Sequence, residues 1–140
     1  MQRNPNHSLD DLWIRLRNIA QTEYGDIVER ADLLLSPAGR IRKLRLYIFD
    51  GSFVDVWISG RGDYSFHWER RHIDGLFYRH DNAPHIRWRD VPTFPKHFHD
   101  GQDNVVRESR IAETPEEALR DVLTEIRTKM AAMSRRPPWS

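Results

Sequence analysis

Five runs of strand-forming residues, separated by turns that contain glycine, constrain the fold of this chain more than any other feature. The runs are rich in β-branched and aromatic residues, which favour strands. They cover residues 27–35, 40–49, 53–59, 64–70 and 76–79. The segments between them include Asp50-Gly51 and Asp74-Gly75, and the Asp-Gly pair favours a tight hairpin. The sequence therefore predicts an antiparallel meander of about five strands over residues 26–80.

Alternation along these strands assigns side chains to the two faces of the sheet. Two apolar sets in the second and third runs are expected to meet in the core: Leu44, Leu46 and Ile48, and Val54, Val56 and Ile58. In the fourth run the side chains of Tyr64, Phe66 and Trp68 share one face of the strand, and that of His67 lies on the other face. His67 is therefore expected on a polar face of the sheet.

A helix is predicted on each side of the meander. Residues 8–24 repeat apolar side chains at spacings of three and four, and Ser8 with Asp11 resembles a capping box. Residues 114–132 begin with Thr114 as N-cap and Pro115 at the first helical position. The predicted class is α+β, in one domain over residues 1–140, with a flexible tail at residues 134–140.

Composition narrows the class of protein. Hydrophobic residues at 39% and charged residues at 31% are typical of a soluble globular domain, and 140 residues suit one domain. Cysteine is absent, which excludes disulfides and thiolate metal sites. Apolar runs are too short for a membrane helix, and the N-terminus carries acids where a signal peptide would be apolar. We therefore expect a cytoplasmic protein with no membrane partner.

Residues 78–106 stand apart as a loop rich in histidine and proline. Within residues 78–99 lie four of the seven histidines and three prolines, too irregular a pattern for a helix and too polar for a buried strand. Loops of this length are uncommon and tend to be functional or disordered. The interleaved Trp88 and Phe94 favour order, so the loop is the candidate site.

Three interpretations of these histidines compete. In the first, two imidazoles act as general base and general acid on a phosphodiester, which describes a metal-independent ribonuclease. In the second, His97 and His99 ligate a metal with His85 or Asp81 as third ligand, and the weak spacing ranks this below acid–base chemistry. In the third, the histidines only bond to backbone or stack on tryptophans, as most single polar surface residues do.

Other polar candidate residues, within the loop and in the second strand run, also have ordinary structural explanations. Asp81 and Asn82 are residue types that cap turns by bonding to the backbone two residues on. Arg42 and Arg45 alternate with apolar residues, as on any one-sided sheet, so phosphate binding there is the minority interpretation. With 22 basic against 21 acidic residues, there is no global attraction to polyanions.

Two short motifs in this loop resemble a known family. Residues 79–85 read RHDNAPH and residues 94–99 read FPKHFH, followed by Val105-Val106. This order is similar to that of the TumE family of toxins of type II toxin–antitoxin systems, from about Ala31 to the C-terminal helix. Ile86, Lys96 and Phe98 depart from the family pattern. The resemblance implies a toxin and suggests action on RNA.

Together these observations predict a toxin that acts on RNA as a ribonuclease. They leave open whether the protein forms a homo-oligomer. The expected partner is a cognate antitoxin, with RNA as the candidate substrate. No metal and no other cofactor is expected. The candidate catalytic residues are His85, His97, His99 and Asp81. The candidate substrate-binding residues are Arg79, Asn82, Lys96, His67, Arg42 and Arg45. The alternative is a non-catalytic module whose loop or sheet binds a helix-turn-helix antitoxin.

Overall fold

A seven-stranded antiparallel sheet forms the body of the protein, and the computed structural model describes residues 5–135. Neighbouring strands in the sheet are neighbours in sequence throughout, from β1 to β7. The elements are α1 (Pro5–Glu23), β1 (Val28–Leu35), β2 (Ile41–Ile48), β3 (Phe53–Ile58), β4 (Tyr64–Arg70), α2 (Arg71–Asp74), β5 (Leu76–Asp81), β6 (His97–Gly101), β7 (Val106–Glu108) and α3 (Pro115–Ser134). The predicted α+β class and meander are confirmed.

The predicted count of about five strands is wrong, because the described residues form seven. The two additional strands, β6 and β7, lie inside the segment predicted as the loop at residues 78–106. β6 alternates His97, Phe98 and His99, a period of two that the polarity of histidine conceals. The irregular connection therefore shrinks to residues 82–96, which include a short 3₁₀ turn at Ile86–Trp88.

The core lies between one face of the sheet and the two long helices. Leu44 pairs with Val56 and Leu46 pairs with Val54 across β2 and β3, and all four are fully buried, as alternation predicts. The helices cover this face with the following buried side chains: Trp13, Leu16 and Ile19 from α1, and Leu119, Val122, Leu123 and Ile126 from α3. The opposite face of the sheet is left to polar and aromatic side chains.

Helix boundaries agree with the sequence prediction at α3 and differ at α1. α3 starts at Pro115 with Thr114 at the N-cap. α1 starts at Pro5, so Ser8 lies inside the helix instead of capping it, since proline is well tolerated in a first turn. Ser134 ends α3, and residues 136–140 of the predicted tail lie outside the described residues.

Among the described residues, none of the helices combines the length and apolar character needed to cross a membrane.

Candidate functional site

The pairing of β5 with β6 brings the predicted site residues together. Asp81 lies opposite His97, and Arg79 lies opposite His99. Positions two apart on a strand share a face, and directly paired residues also share a face, so all four side chains project from the face away from the helices. The backbone register of two strands, and not a loop conformation, therefore sets their arrangement.

Asp81, His97 and His99 form a buried cluster, which we call the triad. Asp81 Oδ1 lies 3.1 Å from His97 Nε2, and Asp81 Oδ2 lies 3.7 Å from His99 Nε2. The two imidazole centroids are 5.0 Å apart. The side chain of His97 is 0% exposed, that of His99 3% and that of Asp81 10%. This cluster is exceptional because polar side chains are rarely so deeply buried.

Backbone carbonyls hold both imidazoles in place. His97 Nδ1 donates to the carbonyl oxygen of Pro95 (2.8 Å), and His99 Nδ1 donates to that of Asp103 (2.9 Å). Burial lowers the pKa of His99 because the charged imidazolium loses solvation. The triad is therefore a fixed arrangement whose Nε2 atoms both face Asp81.

Arg79 supplies the positive charge next to the triad. Its Nε donates to Asp81 Oδ2 (3.1 Å), and its guanidinium also lies 3.5 Å from Asp103 Oδ1. A third contact, at 3.5 Å, joins Arg79 to Nδ1 of His67. Burial lowers the pKa of His67, although its bond to Glu69 acts in the opposite direction. The side chain of Arg79 is 28% exposed, so one part of it remains open to the solvent.

The connection at residues 82–96 is anchored around the triad. Asp81 Oδ1 accepts a hydrogen bond from the Ala83 backbone N–H (3.0 Å), the turn expected of an Asx residue. The Asn82 side chain bonds to the turn before β4 and to the first residue of β4. It donates a hydrogen bond to the carbonyl oxygen of Gly62 and accepts one from the backbone N–H of Tyr64, both at 2.9 Å. The 3₁₀ turn places the Trp88 ring 5.9 Å from that of His99. The triad thus has an aromatic cover on one side.

A cleft of about 700 Å³ opens beside the triad. Its lining includes Asp81 and His99 together with Trp57, Arg87 and Trp88. A second cleft of about 710 Å³ adjoins it, since Trp57, Ser65 and Arg79 line both. The combined groove runs across the polar face of the sheet.

Eight of the ten candidate residues from the sequence fall into three places, namely the triad with its neighbour Arg79, the first cleft and the second cleft. Asp81, His97, His99 and Arg79 form the triad and its neighbour, and His85 and Asn82 line the first cleft. His67 and Arg42 line the second cleft.

Lys96 and Arg45 have partners of their own. Lys96 Nζ donates to the carbonyl oxygen of Ile111 (2.6 Å) and to Glu113 (2.9 Å), and it lines neither part of the groove. Arg45 binds Asp55 through two hydrogen bonds of 2.8 and 2.9 Å. The contacts of both residues are those of structural side chains.

Sequence reasoning missed several residues of the first cleft, among them Trp57, Arg87, Trp88 and Asp103. Trp57 could have been found, because alternation in β3 places it on the face opposite Val56. Trp88 lies inside the histidine-rich segment and was assigned only to packing. Asp103 carries no signal in the sequence, since its approach to Arg79 depends on the turn between β6 and β7.

Fold and site together define an α+β protein in which a one-sided meander presents a buried imidazole–carboxylate cluster in an open groove. The family model described as "Toxin TumE" matches residues 15–130, and the chain therefore belongs to this toxin family. Searches among curated proteins and among solved structures gave no significant match.

Proposed function

We propose that this protein is the toxin component of a type II toxin–antitoxin system and that it acts on RNA as a ribonuclease. The observation that carries the proposal is the position of the triad beside a groove with aromatic and cationic walls. Membership in a toxin family supports the biological role, and the groove supports the choice of RNA as substrate.

The walls of the groove suit a single-stranded nucleic acid. Trp57 is 43% exposed and Trp88 is half-buried, so each can offer a ring face or edge to a base. Arg79 and Arg87 line the same cleft, and a guanidinium matches the geometry of a phosphate. Arg42, exposed at the second cleft, extends this cationic path. A strand of several nucleotides could therefore lie along the groove with one phosphodiester at the triad.

Proton transfer in this proposal falls to the imidazoles that reach the cleft. His85 is exposed and His99 lines the cleft wall, whereas His97 is fully buried and is not among the lining residues. An imidazole can accept the proton of the attacking hydroxyl or donate one to the leaving oxygen. Arg79 can stabilise the charge that develops on the phosphate. His97, bonded to the carbonyl oxygen of Pro95, then has no direct contact with the substrate.

The test is cleavage of RNA by the purified chain and by the double variant His85→Ala/His99→Ala. Loss of general acid–base catalysis should lower the rate about 10²–10⁴-fold. His72→Ala is the matched control, because His72 is an exposed histidine on α2, outside the groove. Unchanged cleavage by the double variant, shown to be folded by circular dichroism, would refute the proposal.

The alternative function is non-catalytic binding of the antitoxin alone. In this alternative the cognate antitoxin is the partner, in the cytoplasm, and the exposed apolar side chains of Leu35 and Trp57 in the second cleft are candidate contacts. A purified chain that degrades no RNA, with or without divalent metal, yet binds the product of the neighbouring gene tightly, would support this alternative. RNA cleavage that the same gene product inhibits would support the ribonuclease.

A further inference from the structure

The triad has the composition of a metal site. One ligand atom from each of Asp81, His97 and His99 lies within 4.8 Å of the other two, and all three residues are buried. Two imidazoles and one carboxylate form a donor set that suits zinc and other first-row transition-metal ions. The register of β5 and β6 fixes the positions of these three residues, as described above.

The hydrogen bonds of the two imidazoles settle their tautomers. Each Nδ1 lies within 2.9 Å of a backbone carbonyl oxygen, which can only accept, so each Nδ1 carries the proton. In a neutral imidazole the lone pair is then on Nε2, and both Nε2 atoms face Asp81. Metal-ligating histidines in proteins show this same outer bond from the second ring nitrogen to a carbonyl or carboxylate.

His97 Nε2 gives an independent indication. This atom is buried and has no hydrogen-bond partner, although Asp81 Oδ1 lies 3.1 Å away. A buried polar atom without a partner is costly, and two atoms that both carry lone pairs repel each other at this distance. A cation between them would remove both costs, because it accepts electron pairs from the nitrogen and from the oxygen.

We infer that Asp81, His97 and His99 bind a divalent first-row transition-metal ion, with zinc as the best match. Ligand atoms bound at about 2.0–2.2 Å to one ion lie roughly 3.0–3.5 Å apart. His97 Nε2 lies 3.1 Å from Asp81 Oδ1 and His99 Nε2 lies 3.7 Å from Asp81 Oδ2, so each imidazole approaches a different oxygen of the same carboxylate. One ligand atom from each of the three residues lies within 4.8 Å of the other two. Magnesium fits poorly because it prefers oxygen ligands. The site differs from the sequence expectation of no metal.

The surroundings leave room for further ligands on the cleft side. Asp81, His99 and Trp88 all line the cleft, and the Trp88 ring also packs against both imidazoles. Arg79 Nε lies 3.1 Å from Asp81 Oδ2 and would compete with a metal ion for this oxygen. The Asp103 carboxylate lies 3.5 Å from the same guanidinium and partly offsets the positive charge of Arg79. An open position next to an arginine is an arrangement that suits an anionic ligand such as a phosphodiester.

Binding of the ion does not depend on RNA, but its use in cleavage rests on the proposed function. With the ion bound, Nε2 of His99 is a ligand and cannot transfer protons. His85, which lies outside the triad, would then remain as the imidazole for acid–base chemistry at the cleft.

The experiment uses the full chain, stripped with a chelator and returned to chelator-free buffer. Calorimetric titrations with Zn²⁺, Mn²⁺ and Mg²⁺ should show one zinc site per chain and little response to magnesium. Co²⁺ should give a visible d–d absorption band. Zinc should also raise the Tm of the wild type, because an ion that binds only the folded state stabilises it.

Two variants and one control identify the ligands. Asp81→Asn keeps an oxygen for the Ala83 N–H, so it should fold, and His99→Gln removes one imidazole. Each should weaken zinc binding by more than about 100-fold, beyond the 10–100-fold typical of outer-shell partners. His72→Gln, the same kind of change at an exposed histidine, should bind as the wild type does.

The outcomes separate this inference from the ribonuclease proposal. Absence of stoichiometric zinc binding, or unchanged binding by folded Asp81→Asn and His99→Gln, would overturn the metal site. RNA cleavage by such a metal-free chain would leave the ribonuclease in place with imidazole catalysis alone. Zinc binding that depends on the triad, without any RNA cleavage, would support the metal site and refute the ribonuclease.

Discussion

Replacing Lys96 with methionine should destabilise the protein without affecting its chemistry. The ammonium group donates to the carbonyl oxygen of Ile111 at 2.6 Å, and the Lys96 side chain is 18% exposed. A hydrogen bond to a charged group contributes about 1.5–3 kcal/mol. The second partner, Glu113, is 87% exposed and adds about 1 kcal/mol at most. Lys96→Met should therefore cost about 2 kcal/mol.

That cost converts to a shift in Tm that is easily measured. With an unfolding entropy of about 2.1 cal/mol/K per residue over 140 residues, a loss of about 2 kcal/mol lowers Tm by roughly 7 °C. Thermal unfolding followed by circular dichroism measures this shift. RNA cleavage at 25 °C, per folded molecule, should stay at the wild-type rate because Lys96 lies outside the groove.

Lys43→Met is the matched control for the shift in Tm, although Lys43 lines the second cleft and is no control for cleavage. Lys43 Nζ bonds to Asp55 (3.0 Å), and Asp55 also accepts two hydrogen bonds from Arg45, so its loss should cost about 1 kcal/mol or less. An unchanged Tm in Lys96→Met would refute the structural role. Loss of cleavage by a folded Lys96→Met chain would show instead that Lys96 stabilises charge at the substrate.

Three further predictions concern the core, the acid limit of stability and the groove. Leu119→Ala, at a fully buried position of α3, should cost about 2–5 kcal/mol in urea unfolding. Burial tends to raise the pKa of Asp55, but hydrogen bonds from Arg45 and Lys43 outweigh it, so the pKa is lowered from 3.8. The stability this adds is present above pH 3.8 and lost as pH falls through the lowered pKa. The stability difference between wild type and Asp55→Asn should therefore shrink below pH 4 in denaturant titrations. Trp57→Ala should weaken the binding of a non-cleavable single-stranded RNA by about 1–3 kcal/mol, measured by fluorescence anisotropy.

Each of these has a result that would contradict it. A Leu119→Ala chain as stable as the wild type would mean that α3 does not pack on the sheet as described. A stability difference for Asp55→Asn that is constant from pH 7 to pH 3 would exclude a lowered pKa. Unchanged RNA affinity in Trp57→Ala, with Tm also unchanged, would mean that RNA does not lie along this groove.

The core and most of the meander could be predicted because they depend on local patterns. Leu44 and Val56 were assigned to one face by alternation alone, and the pairing of β2 with β3 follows from a short turn. β6 could not be predicted in the same way. His97 and His99 are polar residues that are usually exposed, so their burial depends on bonds to Pro95 and Asp103 that the sequence does not reveal.

The candidate site was predicted as a set of residues but not as an arrangement. The sequence placed Asp81 and His97 at opposite ends of one loop, and only the register of β5 and β6 shows that they are direct partners. The sequence suggests that the Lys96 charge is available to a substrate. Its hydrogen bond to the backbone carbonyl of Ile111, 15 residues away, cannot be seen in the sequence. A hydrogen bond to a backbone atom far away in the sequence leaves no recognisable pattern of side chains.

Because Asp81 and His97 are paired directly across β5 and β6, the positions of the triad residues do not depend on the connection between these strands. The triad is fixed by a ladder of backbone hydrogen bonds, whereas the connection at residues 82–96 contributes part of the cleft lining. Under the proposed function, substitutions of His85 or Arg87 in that connection should change which RNA binds while the triad keeps its geometry. A change of one residue in the register of β6 would instead turn both imidazoles towards the helices and abolish the site at once. Under the proposed function, substitutions in the connection can therefore change substrate preference, whereas the arrangement of the triad depends on the register of two strands.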